Sequence, residues 1–194
     1  MKTRSFEETI RQRLTRRTRR TIEEPGLRHA AVLVPLYGAD GEVHLLFTKR
    51  SDAVEHHKGQ VSFPGGVSDP QDADSLETAL RETEEEIGLK PSDVTVLGAL
   101  DDYATSTNFV VSPFVGIIPH PYAFTVNDIE IDELFTVPVS AFLAKENFFL
   151  LTAILPGKPQ PQYLFRARSH VIWGTTGRIL YQFLTLCFGR PGSP

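Results

Sequence analysis

Cysteine is almost absent from this 194-residue chain: Cys187 stands alone, so no internal disulfide framework can form and a reducing compartment is expected. Beside a C-terminal helical pattern it reads as a structural thiol. No run of about 18 apolar residues occurs, so no membrane span is expected. The N-terminus lacks the apolar core of a secretory signal, and residues 190–194 carry no lipidation or peroxisomal ending, so the expected location is cytoplasmic. Repeats and low-complexity linkers are missing too. The length and ordinary composition suit one domain able to bury a sizeable core.

Basic charge is scarce outside the first 30 residues. These hold nine of the 20 Lys and Arg, while the rest of the chain sets 11 bases against 20 acids, within a net charge of −4. Residues 5–21 read as a helix, with Phe6, Ile10 and Leu14 on one narrow edge and Arg11, Arg13, Arg16, Arg17, Arg19 and Arg20 around them. A solvated capping helix is the expected role, with attraction of an anionic substrate as the alternative. The arginines lack interleaved aromatics, which disfavours stacking on nucleic-acid bases. Pro25-Gly26 ends the segment, so residues 1–27 are expected as a basic helix and linker ahead of a domain over 28–194.

Within that domain, residues 29–36 form an apolar run that suits a buried strand. The turn at 38–41 and a second strand over 42–49 make a hairpin. Further strands are expected at 94–100 and 105–116, a strand or loop over 127–138, then a short helix at 139–144. A strand pair over 148–155 and 162–166 is joined by a Pro-Gly-Lys-Pro turn, and a last helix spans 175–188. Irregular alternation with antiparallel hairpins points to the α/β (α+β) class, a mixed sheet between helices in an α/β/α sandwich. The adjacent His56 and His57 point different ways and have no Cys partners, so they do not read as a zinc site.

The chemistry concentrates in residues 63–89, FPGGVSDPQDADSLETALRETEEEIGL. At 100° per residue, Glu82, Glu85 and Glu86 fall within an arc of about 100° on one helix face. Leu76, Leu80, Thr83 and Ile87 lie opposite and suit a core. Three neighbouring carboxylates resist ionising together, and a hard divalent cation relieves the conflict.

Arg81-Glu82, Glu85-Glu86 and Gly88-Leu89 resemble the second half of the Nudix box. In the first half, Gly66 with Asp72 keeps the glycine-to-acid spacing, with one additional residue before Arg81. The longer pattern FPGGxxDxxD through Thr78-Ala79-Leu80-Arg81-Glu82 resembles the coenzyme A diphosphatase subfamily. So do Thr48, Arg50, Ser51, His57, Gly59 and Val61 upstream, and downstream Asn127, Glu130, Phe135, Val137, Pro138 and the W-G-x-T-x-R-I-L ending at 173–180. Thr107-Asn108 stands where the subfamily has Ser-Gly, and Gly177 where Ala is commoner.

The resemblance implies the Nudix fold and Mg2+- or Mn2+-dependent hydrolysis of a diphosphate in coenzyme A or its thioesters. It gives adenosine 3′,5′-bisphosphate and 4′-phosphopantetheine. It implies metal ligation by Glu82, Glu85 and Glu86 with the Gly66 carbonyl, and orientation of the carboxylates by Arg81. Water activation falls to one of these glutamates or to Glu130, with Glu133 second. Substrate contacts are expected from Arg50, Lys58, Gly65 and Phe109. Another nucleoside diphosphate derivative as substrate is the alternative; a non-catalytic binding module stands behind it. The partner expected is a small molecule, without membrane; nucleic acid is disfavoured, and a homodimer is left open.

Overall fold

In the first strand, β1 (Arg28–Ala39), Ala31, Leu33 and Tyr37 point to one face while Val34 and Leu36 point to the other, as the period of two requires. The computed structural model describes residues 3–52, 58–155 and 158–192. His56, His57 and the Pro156-Gly157 part of the expected turn lie outside the described residues. A two-residue loop joins β1 to β2 (Glu42–Arg50), with Asp40 at φ 51° and Gly41 at φ 78°, the twist that tight hairpins favour.

Around this hairpin an eight-stranded mixed sheet assembles from β3 (Val61–Ser62), β4 (Gly65–Val67), β5 (Thr95–Ala99), β6 (Tyr103–Ala104), β7 (Phe109–Ile117) and β8 (Ile131–Pro138). Its main path runs β3-β2-β1-β7-β5, with β4 on β1, β6 on β7 and β8 on β2. Only the β1–β7 pair is parallel among the described strands. A separate antiparallel sheet, ordered β11-β10-β9, contains β9 (Phe148–Leu155), β10 (Lys158–Ala167) and β11 (His170–Ile172). The expected strand pair is thus one part of a second sheet.

Helix α2 (Ser75–Ile87) covers one face of the large sheet, where Ala79, Ile87 and Leu89 meet Leu33, Leu46 and Phe114. On the other face, α1 (Thr3–Thr15), α3 (Val139–Leu143), α4 (Gly174–Cys187) and the small sheet close over Leu36, Phe47 and Val115. The mixed sheet between helices is the architecture expected.

Two boundaries differ. The first helix stops at Thr15, and the following arginines leave it to meet Asp101 and Asp102. Arg17 pairs with Asp101 and Arg19 with Asp102 at 2.6 Å, while the backbone N–H groups of Arg20 and Ile22 donate to the same carboxylates. These bonds replace the ones a continued helix would make. Nor is residue 27 a packing boundary, because Phe6, Ile10 and Leu14 are buried in the main core with Leu97 and Phe183. The second difference is at 105–108, a turn between β6 and β7 rather than strand; Asn108 sits at φ 62°, a left-handed conformation that Gly or Asn adopts at little cost.

Candidate active site

Helix α2 begins where Asp74 accepts from the N–H groups of Leu76 and Glu77 at 2.8 and 2.9 Å, satisfying two unpaired donors. Glu77 reaches back to the Ala73 N–H. The helix closes on Gly88, at φ 70°, whose N–H returns to the Glu84 carbonyl. Both ends being fixed, the register of the intervening carboxylates is fixed as well.

Asp72, just upstream, takes Arg81 in a two-pronged grip, Nε to Oδ1 at 2.8 Å and Nη2 to Oδ2 at 2.9 Å. The Thr78 hydroxyl donates to the same carboxylate at 2.8 Å. Bonds from Arg81 hold Asp72 well below the usual carboxylate range. The other prong of the guanidinium, Nη1, reaches Glu82 at 2.9 Å and Glu85 at 3.3 Å. Arg81 thus bonds to both, and Asp72, itself bonded by Thr78, holds Arg81. Sequence alone had put Asp72 and Thr78 in register without a role.

Glu86 differs from its neighbours. Its residue is 3% exposed, whereas the Glu85 side chain is 60% exposed, so the three do not share one solvated face. The reason is β4: the Gly65 N–H donates to Glu86 Oε2 at 3.2 Å, and Arg50 Nη1 lies 3.8 Å from Oε1. Burial pushes the Glu86 carboxyl up to about 8, and Glu130 and Glu82 add to the rise. Burial raises Glu82 as well, against the pull of Arg81, with Glu85 and Glu130 adding to the rise. Among the described residues no three carboxylates already form a metal cage. Arg81 draws Glu82 and Glu85 toward itself, and Glu86 is held by β4.

Two glycines make this approach possible. A Cβ on Gly66 would lie 2.1 Å from Glu82 Oε2, so that carboxylate occupies the space a side chain would fill. Gly65, at φ 144°, lies so close to β1 that a Cβ would meet the Ala31 carbonyl at 2.2 Å. Glu130 arrives from another element. The N–H groups of Thr125 and Asn127 donate to the Ile87 and Glu86 carbonyls at the end of α2, and Asn127 Nδ2 donates to Glu130 at 3.3 Å. This tie brings Glu130 close enough to raise both Glu82 and Glu86. Glu133, the second choice, instead meets His170 at 2.9 Å.

The glycine turn opens on a cavity of about 780 Å3 between the large sheet and the small sheet with α4. Arg50, Gly65, Gly66 and Phe109 line it; Lys58 is exposed and is not among its described walls. The buried Nε of Arg50 has no hydrogen-bond partner. Phe109 carries Arg28 over its ring at 4.8 Å. The far wall, with Tyr163, Trp173 and Arg178, and Tyr103 facing it from the large sheet, had no assigned role in the sequence. The W-G-x-T-x-R pattern was the signal available for part of it.

The donor set fits a hard divalent cation. The oxygen donors of Glu82, Glu85 and Glu86, a buried Glu86 carboxyl that resists ionisation and an adjacent backbone stripped of side chains suit an oxygen-ligated ion.

A family model described as the NUDIX domain matches residues 27–151. A protein of Yersinia enterocolitica named uncharacterized Nudix hydrolase NudL is 42% identical over 152 residues, covering 78% of this chain and 77% of its own. One of the same name from Photorhabdus laumondii is 39% identical over 155 residues, covering 80% and 82%. Among solved structures, a NUDIX hydrolase from Alicyclobacillus acidocaldarius has the same fold, with a TM-score of 0.52 at 23% identity over 62% of this chain and 83% of that one.

Proposed function

This chain belongs to the Nudix family, and from that premise we propose that it hydrolyses the diphosphate bond of coenzyme A or its thioesters with Mg2+ or Mn2+. The observation that carries the reading is the junction of two features: a buried, ionisation-resistant Glu86 against the Gly65 N–H, and a large cavity opening on that turn. The subfamily pattern around the glycine turn supports coenzyme A within the broader class of nucleoside diphosphate derivatives. The lone buried thiol supports a cytoplasmic setting.

Glu82, Glu85 and Glu86, with the Gly66 carbonyl, would hold the ion. When bound, such an ion offsets charge on phosphoryl oxygens and acidifies water. Arg81 keeps Glu82 and Glu85 in position, and Asp72 with Thr78 keeps Arg81 in position. Arg50, on the cavity lining beside Glu86, meets the diphosphate with its guanidinium. Glu130 takes a proton from water as its oxygen bonds to phosphorus, and the bond from that phosphorus to the bridging oxygen breaks. The second phosphate leaves with the bridging oxygen.

Incubation with Mg2+ and a panel of coenzyme A, NADH, ADP-ribose and nucleoside triphosphates, followed by mass spectrometry, tests the reading. Adenosine 3′,5′-bisphosphate and 4′-phosphopantetheine are the expected products. Turnover of another panel member without coenzyme A cleavage would reassign the substrate.

A further inference from the structure

Arg178 sits in the first turns of α4 and lines the cavity. Its guanidinium lies over the Tyr103 ring, 4.7 Å from the centroid, with the Tyr163 ring at 6.0 Å. Tyr163 is itself backed by Tyr181, centroid to centroid 3.9 Å. Aromatic faces hold a guanidinium in place without consuming its N–H donors. Among the described residues no carboxylate pairs with Arg178.

Charge in the cavity is one-sided. Its described lining includes two arginines, Arg50 and Arg178, and no Asp or Glu. Val67, Ala30, Val111 and Tyr103 stand in one row across β4, β1, β7 and β6. That row spans three strand spacings, about 14 Å, from the glycine turn to the ring under Arg178. Arg50 belongs to the glycine side through Glu86. The cavity thus offers a cation beside the bond to be cleaved and another well removed from it.

We propose that Arg178 is a specificity-determining residue that binds a phosphate monoester on the substrate, apart from the diphosphate that is cleaved. The inference rests on the reading of the cavity as a site for nucleoside diphosphate derivatives. In coenzyme A the group is the ribose 3′-phosphate. Lys58, also expected to contact substrate, is exposed and is not among the described cavity walls. A guanidinium fixed by two rings presents its planar fork to a phosphate with little freedom left to lose.

The test has two arms. In steady-state kinetics, Arg178→Gln lowers the ratio of kcat/KM for coenzyme A over dephospho-coenzyme A on the order of 10- to 100-fold. In calorimetry, the wild type binds adenosine 3′,5′-bisphosphate more tightly than AMP, and Arg178→Gln removes the preference. Arg178→Lys retains part of it in both arms, and decides the matter if Arg178→Gln fails to fold. An unchanged ratio, or equal weakening of both nucleotides, would overturn the assignment and leave Arg178 a structural cation. If the wild type cleaves neither coenzyme A nor its dephospho form, the coenzyme A reading fails, while the calorimetry still decides Arg178.

Discussion

Asp72 and Arg81 are the residues on which the carboxylate arrangement turns. Asp72 is held below the usual carboxylate range by its bonds from Arg81, so its contribution to stability is complete above the unfolded-state value and is lost as pH falls toward the folded-state value. The wild type should therefore lose Tm more steeply than Asp72→Asn between about pH 4 and pH 2, a comparison that thermal melts across pH will make. At neutral pH the same variant frees Arg81 and lowers kcat. Glu85→Gln makes the complementary case. Its side chain is largely exposed, so the fold should persist, while loss of a charged ligand should lower kcat by at least about 100-fold. Near-native rates at matched Tm would remove Glu85 from the ligand set.

Among the elements, α1 departs furthest from its sequence reading. Its edge of Phe6, Ile10 and Leu14 was legible from spacing, but a narrow stripe does not reveal what it packs against. That answer depends on Leu97 and Phe183, far along the chain. Deleting residues 1–20 should lower Tm markedly as well as alter salt sensitivity, since it strips both the core stripe and the Arg17 and Arg19 pairs. Ile10→Ala alone should cost about 2–5 kcal/mol in chemical denaturation. Helix α2 is the opposite case. Its carboxylates and its Gly88 stop follow from local periodicity, whereas the burial of Glu86 needs β4 and Arg50 and was invisible there. At α4, Gly177 is a poor intrinsic helix former. A Cβ there would meet the Tyr163 carbonyl at 2.2 Å, so the helix rests directly on β10. Gly177→Ala should therefore lower Tm despite alanine's better helix propensity, with circular dichroism melts as the check.

For the whole molecule, the fold class and one cavity wall were readable because β1, β2 and the glycine turn are close in sequence. The second wall was not, because Arg178 on α4 meets Tyr103 on the large sheet only through packing of segments far apart in the chain. Metal dependence belongs at this scale too. EDTA should abolish turnover, and Mg2+ or Mn2+ should restore it. The same ions should raise Tm in the absence of substrate, as any ligand of the folded state does. Undiminished turnover in metal-free buffer would contradict the reading.

The cavity has two walls of different origin. The match to the family model ends at residue 151, before β10 and α4 begin. The carboxylates of α2 ride on one layer and β10 with α4 on another, joined by packing rather than by shared residues. Such a division lets selection act on the two independently. A library that randomises Tyr163, Trp173 and Thr175 should yield descendants with new substrate preferences and an unaltered requirement for the divalent ion.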